Sequence, residues 1–269
     1  MPNLPRIFEL VRFDFVYAFT SMRNTLFVIP YFLFWYLIFS NYSATTLEWL
    51  QSTQGLFIAS WLLEDQELAL QLLVDRSPTL SVFLLISVGI MPLFIMFAAN
   101  NQLSSDRARG AFRFVLTRAT RHELYLSRFL SSLLVAASCI VIATAWALVV
   151  AWLNEEAQVL RLVVFAAETL LLLLFYCLPF VAFMTMTSAL AKSAMGNLFL
   201  ALMLYTFLVF VILWLHKDIS TIAYVLPSAI RPFLFEINTT HTMTAIAALS
   251  LYALSYYILG WFIFRTRDV

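Results

Sequence analysis

Several apolar runs in this chain reach or approach the roughly 18–20 residues that an α-helix needs to cross a bilayer. That length constrains the fold more than any motif does. One such run can be buried in a soluble core, but several in a chain of 269 residues cannot. Hydrophobic residues make up 63% of the sequence and charged residues only 12%, about half of the roughly 25% found in soluble domains. The bilayer is therefore the expected solvent. The runs predict an all-α polytopic membrane protein with spans at about 25–42, 80–99, 129–153, 162–187, 198–215 and 243–264, all within one transmembrane domain over 25–269.

Residues 1–24 precede the first span. Phe8, Val11, Phe15 and Phe19 alternate there with Arg6, Glu9, Arg12 and Asp14 at helical spacing, which predicts an amphipathic helix lying in the interface. The charged stretch is too long for an ordinary signal peptide. With the N-terminus inside, twelve of the sixteen Lys and Arg are cytoplasmic: Arg6, Arg12, Arg23, Arg107, Arg109, Arg113, Arg118, Arg121, Arg128, Lys192, Arg265 and Arg267. Arg76, Arg161, Lys217 and Arg231 remain outside. This excess of internal positive charge sets the expected orientation, with both termini cytoplasmic and Trp49, Trp61, Trp152 and Trp214 as anchors at the opposite interface.

Two connections are unusual. Residues 43–79 contain an apolar stretch, 56–63, too short to cross and followed by Glu64, Asp65 and Glu67; amphipathic helices outside the membrane are expected. Residues 216–242 carry short apolar pieces, 219–226 and 233–235, around Pro227 and Pro232. They fit either a re-entrant outer hairpin, whose backbone must be buried in protein or line a watery cavity, or an interfacial loop with proline turns.

The connection 101–128 reads NQLSSDRARGAFRFVLTRATRHELYLSR and holds six arginines. Its charge alone suits a loop that attracts anionic headgroups. Phe112, Val115, Leu116 and Ala119 recur at helical spacing after Gly110, however, so a short amphipathic helix usable as a docking surface fits better.

In this stretch Asp106-Arg107, Gly110, Phe114-Val115-Leu116, Arg121, Glu123, Leu126 and Arg128 resemble the pattern in permease subunits of ABC-2 (type V) exporters. The order of elements is also similar: an interfacial helix, six spans, an outer hairpin between spans five and six, and a terminal Phe264-Arg265-Thr266-Arg267-Asp268-Val269. The chain departs from the family pattern at Ala111, where threonine is usual, at Ser127, where glycine is common, and in lacking the turn proline. The resemblance implies that the segment is a coupling helix seated in an ATPase, with Asp106, Arg107, Gly110, Phe112, Arg113, Leu116, Arg118, Arg121 and Glu123 as coupling residues and 188–197 as a smaller contact. It also implies a second permease, identical or related, and a bacterial inner membrane.

The chain itself cannot be that ATPase. Its five glycines, at 55, 89, 110, 196 and 260, form no phosphate-binding loop, so ATP and Mg belong to a partner. No cofactor, metal site or catalytic group is expected in this chain: there is no HExxH and no Gly-x-Ser-x-Gly elbow. Cys139 and Cys177 lie in apolar runs and read as buried thiols. Met184, Met186, Met195 and Met203 have no Cys or His beside them and read as packing residues.

Glu168 is the one ionisable residue expected inside a span. It stands two turns beyond Arg161 on one helix face, and two readings hold: the outer end of a transport path, or a packing group bonded to a neighbour's hydroxyl. The functional expectation is an exporter permease powered by a separate ATPase. The alternative is a membrane scaffold or regulatory subunit that binds such an ATPase without moving a substrate. The apolar side chains face lipid or each other, so they do not identify a substrate.

Overall fold

The computed structural model describes residues 3–20, 22–41, 49, 52–63, 66–100, 103–108, 110, 112–155, 158–215, 220–235 and 239–266. Their regular structure is helical throughout. The elements are α1 (Leu4–Thr20), α2 (Met22–Ser40), α3 (Thr53–Leu63), α4 (Gln66–Leu70) running into a π-helical turn (Gln71–Asp75), α5 (Pro78–Ala98), α6 (Leu103–Ala108), α7 (Phe112–Val115), α8 (Arg121–Asn154), α9 (Val159–Leu190), α10 (Ala194–Leu215), two 3₁₀ turns (Ser220–Val225 and Pro227–Ile230), α11 (Arg231–Phe235) and α12 (Thr239–Thr266). Expectations placed on residues 42–48, Glu64, Asp65, Arg109, Ala111, His216, Lys217, Asn238 and the tail from Arg267 lie outside the described residues.

Among the described residues, five helices, α5, α8, α9, α10 and the part of α12 from Thr240, are long and apolar enough to cross a membrane, as a polytopic membrane protein requires. The span expected at 25–42 coincides with α2, whose described apolar stretch, Val28–Ser40, falls short of that length. α8 has 34 residues and α9 has 32, so each runs about 50 Å, against a hydrocarbon core of roughly 30 Å. The apolar runs mark only the middle of these helices. Their polar ends continue the same backbone ladder and carry much of the chemistry.

α9 is the centre of the bundle. Half of its apolar stretch is buried, against almost none of α10's, and its contacts with α12 and α8 are the most extensive in the chain. Among the described glycines, the one with the least room is Gly260 of α12. A Cβ there would overlap the Tyr125 hydroxyl and stand 2.8 Å from the Met186 backbone. Glycine lets three helices meet at this point. α2 joins the bundle through Tyr31, Trp35 and Phe39, four residues apart and all buried. Tyr31 stacks on Phe94 at 4.1 Å and Trp35 lies 4.6 Å from Phe83, both on α5. Cys139 and Cys177 are free and buried, as their setting implied.

The segment before α5 is less peripheral than its sequence suggested. Ala69, Leu72 and Leu73 are buried in the main core, and the Ser81 hydroxyl donates to the Leu72 carbonyl at 2.5 Å. Thr79 N–H donates to Glu155 at 3.0 Å, which ties the start of α5 to the α8–α9 connection. At the same end, the 3₁₀ turns and α11 bury Leu226, Pro227, Ile230, Leu234 and Phe235. Arg231 Nε donates to the hydroxyl of Tyr176 on α9 at 3.0 Å.

Candidate functional site

The candidate site is the opposite end of the bundle, where residues 100–123 link α5 to α8. Thr120 caps α8: its hydroxyl accepts from Glu123 N–H at 3.3 Å, and the Glu123 carboxylate accepts from Thr120 N–H at 2.9 Å. This reciprocal box satisfies donors that a helix start otherwise leaves free. Gly110 turns the chain between α6 and α7 with φ of 66°, a left-handed conformation that glycine adopts without steric cost.

The segment is fastened to the helix ends around it. Leu103 and Phe112 are buried with Leu124, Tyr125, Ala189 and Phe264, and Phe112 meets Phe264 edge-on at 5.9 Å. The Ser188 hydroxyl oxygen accepts from Leu103 N–H at 2.9 Å and Ser104 N–H at 3.0 Å. Those are first-turn donors of α6 with no partner inside the helix. The Asn197 amide donates to the Asn100 carbonyl at 3.1 Å. The two connections expected to touch an ATPase separately are thus bonded to each other, with Ser188 and Asn197 fully buried.

α1 lies across this assembly. Asn3 N–H donates to Glu123 at 2.8 Å and Arg6 is paired with the same carboxylate at 3.6 Å. Eleven residues further along the chain, Asp14 is paired with Arg128 of α8. Arg128 also binds Asp106 of α6 at 2.5 Å, so one guanidinium joins α1, α6 and α8. The Asp14 carboxyl is pushed up to about 6, first by burial and then by the Asp106 charge, against the opposing pull of Arg128.

The sequence-predicted residues therefore divide. Asp106, Phe112 and Glu123 face inward: Asp106 onto Arg128, Phe112 into the apolar cluster, and Glu123, 1% exposed, onto α1. Leu116 is half-buried beside that cluster, and Arg121 donates to the Arg265 carbonyl at 2.9 Å. Arg107 and Arg113 belong to α6 and α7. Gly110 and Arg118 face outward. Between α1 and this segment lies an open cleft of about 960 Å³, bounded by Arg6, Glu9 and Leu10 on one side and Val115, Arg118 and Ala119 on the other.

Glu168 belongs elsewhere. Twenty residues of α9 separate it from Ser188, about 30 Å along the helix. Its partner is Arg76, from the segment before α5, at 3.4 Å, rather than a neighbour's hydroxyl. Arg76 also stacks over Phe165 at 4.7 Å, and the Glu168 side chain is 52% exposed.

Thr120 and Asp14 were not among the expected site residues, and Ser188 was expected only as one end of a smaller ATPase contact. Thr120 was legible as Thr-x-x-Glu, the signature of a capped helix start. Asp14 and Ser188 had no local signal, because their partners are far away in sequence. No known protein-family model matches this chain, and no curated protein matches it.

Proposed function

We propose that this chain is the transmembrane permease subunit of an ABC exporter, moving its substrate by alternating access driven by ATP hydrolysis in a separate subunit. The observation that carries the reading is the segment 100–123. It is folded as two short helices, wedged by Phe112 and Leu103 into the ends of α8, α9 and α12, and presents Arg118 and Gly110 outward. A surface loop that only attracts lipid has no need of this anchoring. A part that must pass a push from a partner into the bundle does.

Topology supports the same reading. Asn3 and the Arg265 carbonyl meet the first turn of α8 at Glu123 and Arg121. A chain that departs from and returns to one end crosses an even number of times, which favours α2 as a sixth crossing beside the five long helices. The basic residues Arg6, Arg12, Arg118, Arg121, Lys192 and Arg265 gather at this end, which favours the cytoplasm for it; a bacterial inner membrane rests on the family resemblance alone. The burial of the 220–235 segment, with Arg231 reaching Tyr176, favours a re-entrant outer element. A second permease copy suits the largely unburied apolar stretch of α10.

The test is co-purification of the chain with a phosphate-loop ATPase encoded beside it, followed by reconstitution in vesicles. ATP-dependent substrate movement is expected. Arg118→Glu, a reversal on an exposed side chain, should weaken ATPase recovery at least tenfold, the effect of about 1.4 kcal/mol. A chain that recovers no ATPase and moves nothing with ATP overturns the proposal.

A further inference from the structure

Arg128 is shared in a way that leaves both Asp14 and the guanidinium incompletely satisfied. Its Nη1 meets Asp14 and its Nη2 meets Asp106, with the three side chains only 10–19% exposed. A guanidinium is a planar fork that binds best with two parallel N–H groups on a single carboxylate. Here Nε is buried without an acceptor, and Asp14 Oδ2 is buried without a donor. Asp14 has therefore left water for half of a fork and one orphaned oxygen, and burying a charge that is not fully paired is costly.

The same orphans define a second arrangement. If Asp14 leaves, Arg128 can turn Nε and Nη2 together onto Asp106, and Asp14 regains water. Arg6 and Asn3 hold the other end of α1 on Glu123, and on the Asp14 half Ala18 is the buried residue that release would uncover. The half that leaves leads into α2.

We propose that the Asp14–Arg128–Asp106 junction is a spring-loaded latch for α1, from which the Asp14 half of the helix is released when Arg128 closes with both fork donors on Asp106. The inference concerns this chain alone and stands apart from the proposed ATPase.

The pH dependence follows from the docked carboxyl being raised from 3.8 to about 6. The docked state holds the Asp14 proton more tightly than the released state, so docking is favoured below the ordinary carboxylate range. That advantage is lost as pH rises through about 6. Between pH 8 and pH 5 this amounts to roughly a tenfold change in the docked-to-released ratio, and it approaches a hundredfold only below the ordinary carboxylate range. Among the described side chains, Glu123 meets Arg6, Glu9 and Arg118 line the cleft, Arg121 holds the Arg265 carbonyl, and His122 lies against Trp261.

The test is electron–electron distance measurement on the full chain in nanodiscs, with spin labels at exposed positions, Val16→Cys and Lys192→Cys. Cys139 and Cys177 are fully buried and stay unlabelled. At about pH 8 a second, longer distance is expected, shrinking strongly at about pH 5. Asp14→Asn, neutral and of the same shape, should show only the short distance at both values, and Arg128→Gln should enrich the long one. An ordinary stabilising ion pair predicts the opposite for Asp14→Asn. A longer distance in that variant, a single pH-independent distance in the parent, or a pH response abolished by His122→Gln overturns the latch. The parent pH series requires no substitution in the junction, so it decides the matter even if Arg128→Gln fails to fold.

Discussion

Gly260→Ala adds one methyl group where three helices meet, and its cost follows from what that methyl would meet. The new Cβ overlaps the Tyr125 hydroxyl and stands 2.8 Å from the Met186 Cα and 3.1 Å from its Cβ. The tyrosine can swing away, giving up its 3.2 Å bond to the Tyr257 carbonyl, a loss of about 1 kcal/mol. Met186 Cα is backbone near the C-terminal end of α9, so α12 must move outward. Overpacking of that kind costs about 3 kcal/mol at the upper end of its usual range. Alanine's better helix propensity returns about 1 kcal/mol. The net destabilisation is about 3 kcal/mol, roughly a hundredfold in the unfolding equilibrium. Reversible unfolding in mixed micelles measures it, with Gly89→Ala as the reference, since a Cβ at Gly89 meets nothing within 4 Å. If Gly260→Ala matches Gly89→Ala in stability, the account of the three-helix crossing is wrong.

Thr120→Ala removes the side-chain half of the cap on α8 and should cost about 1 kcal/mol in the same unfolding assay, whereas Thr120→Ser should be close to neutral. Tyr176→Phe takes away the acceptor for Arg231 Nε; limited proteolysis within 220–235 should become faster while the bundle remains intact. Glu168→Gln breaks an exposed pair with Arg76 that is worth only about 0–1 kcal/mol, so stability should hold. If reconstituted transport falls as well, Glu168 serves the transport path, and unaltered transport refutes that role.

What the sequence made legible was what depends on nearby residues. The long apolar runs located α5, α8, α9, α10 and α12 because lipid demands continuous apolar length. The same criterion placed the start of the third span at 129, although α8 begins at Arg121. A run of hydrophobic residues cannot report the polar turns of a helix that outlasts the bilayer. The Thr120-x-x-Glu123 box could report them. Spacing also identified a helical piece after Gly110, found as α7, but could not say which way it faces. Phe112 was expected on a docking surface and is 2% exposed, because its environment comes from Phe264 and Ala189, remote in the chain. Glu168 was set beside Arg161 by periodicity, whereas the structure pairs it with Arg76 across 92 residues. Pairings of that reach are created by tertiary packing and leave no trace in local pattern.

The anchoring of α1 on the start of α8 also fixes an order of events during synthesis. Asn3 finds its acceptor 120 residues later in the chain. At roughly 5–20 residues per second, that leaves α1 without its tertiary partner for roughly 6–24 seconds. During this interval its Leu4, Phe8 and Phe19, all exposed in the finished fold, leave the helix with an apolar side that water does not favour. This end of the fold therefore closes only after α8 has been made, and α1 keeps an uncovered apolar side both before and after that step.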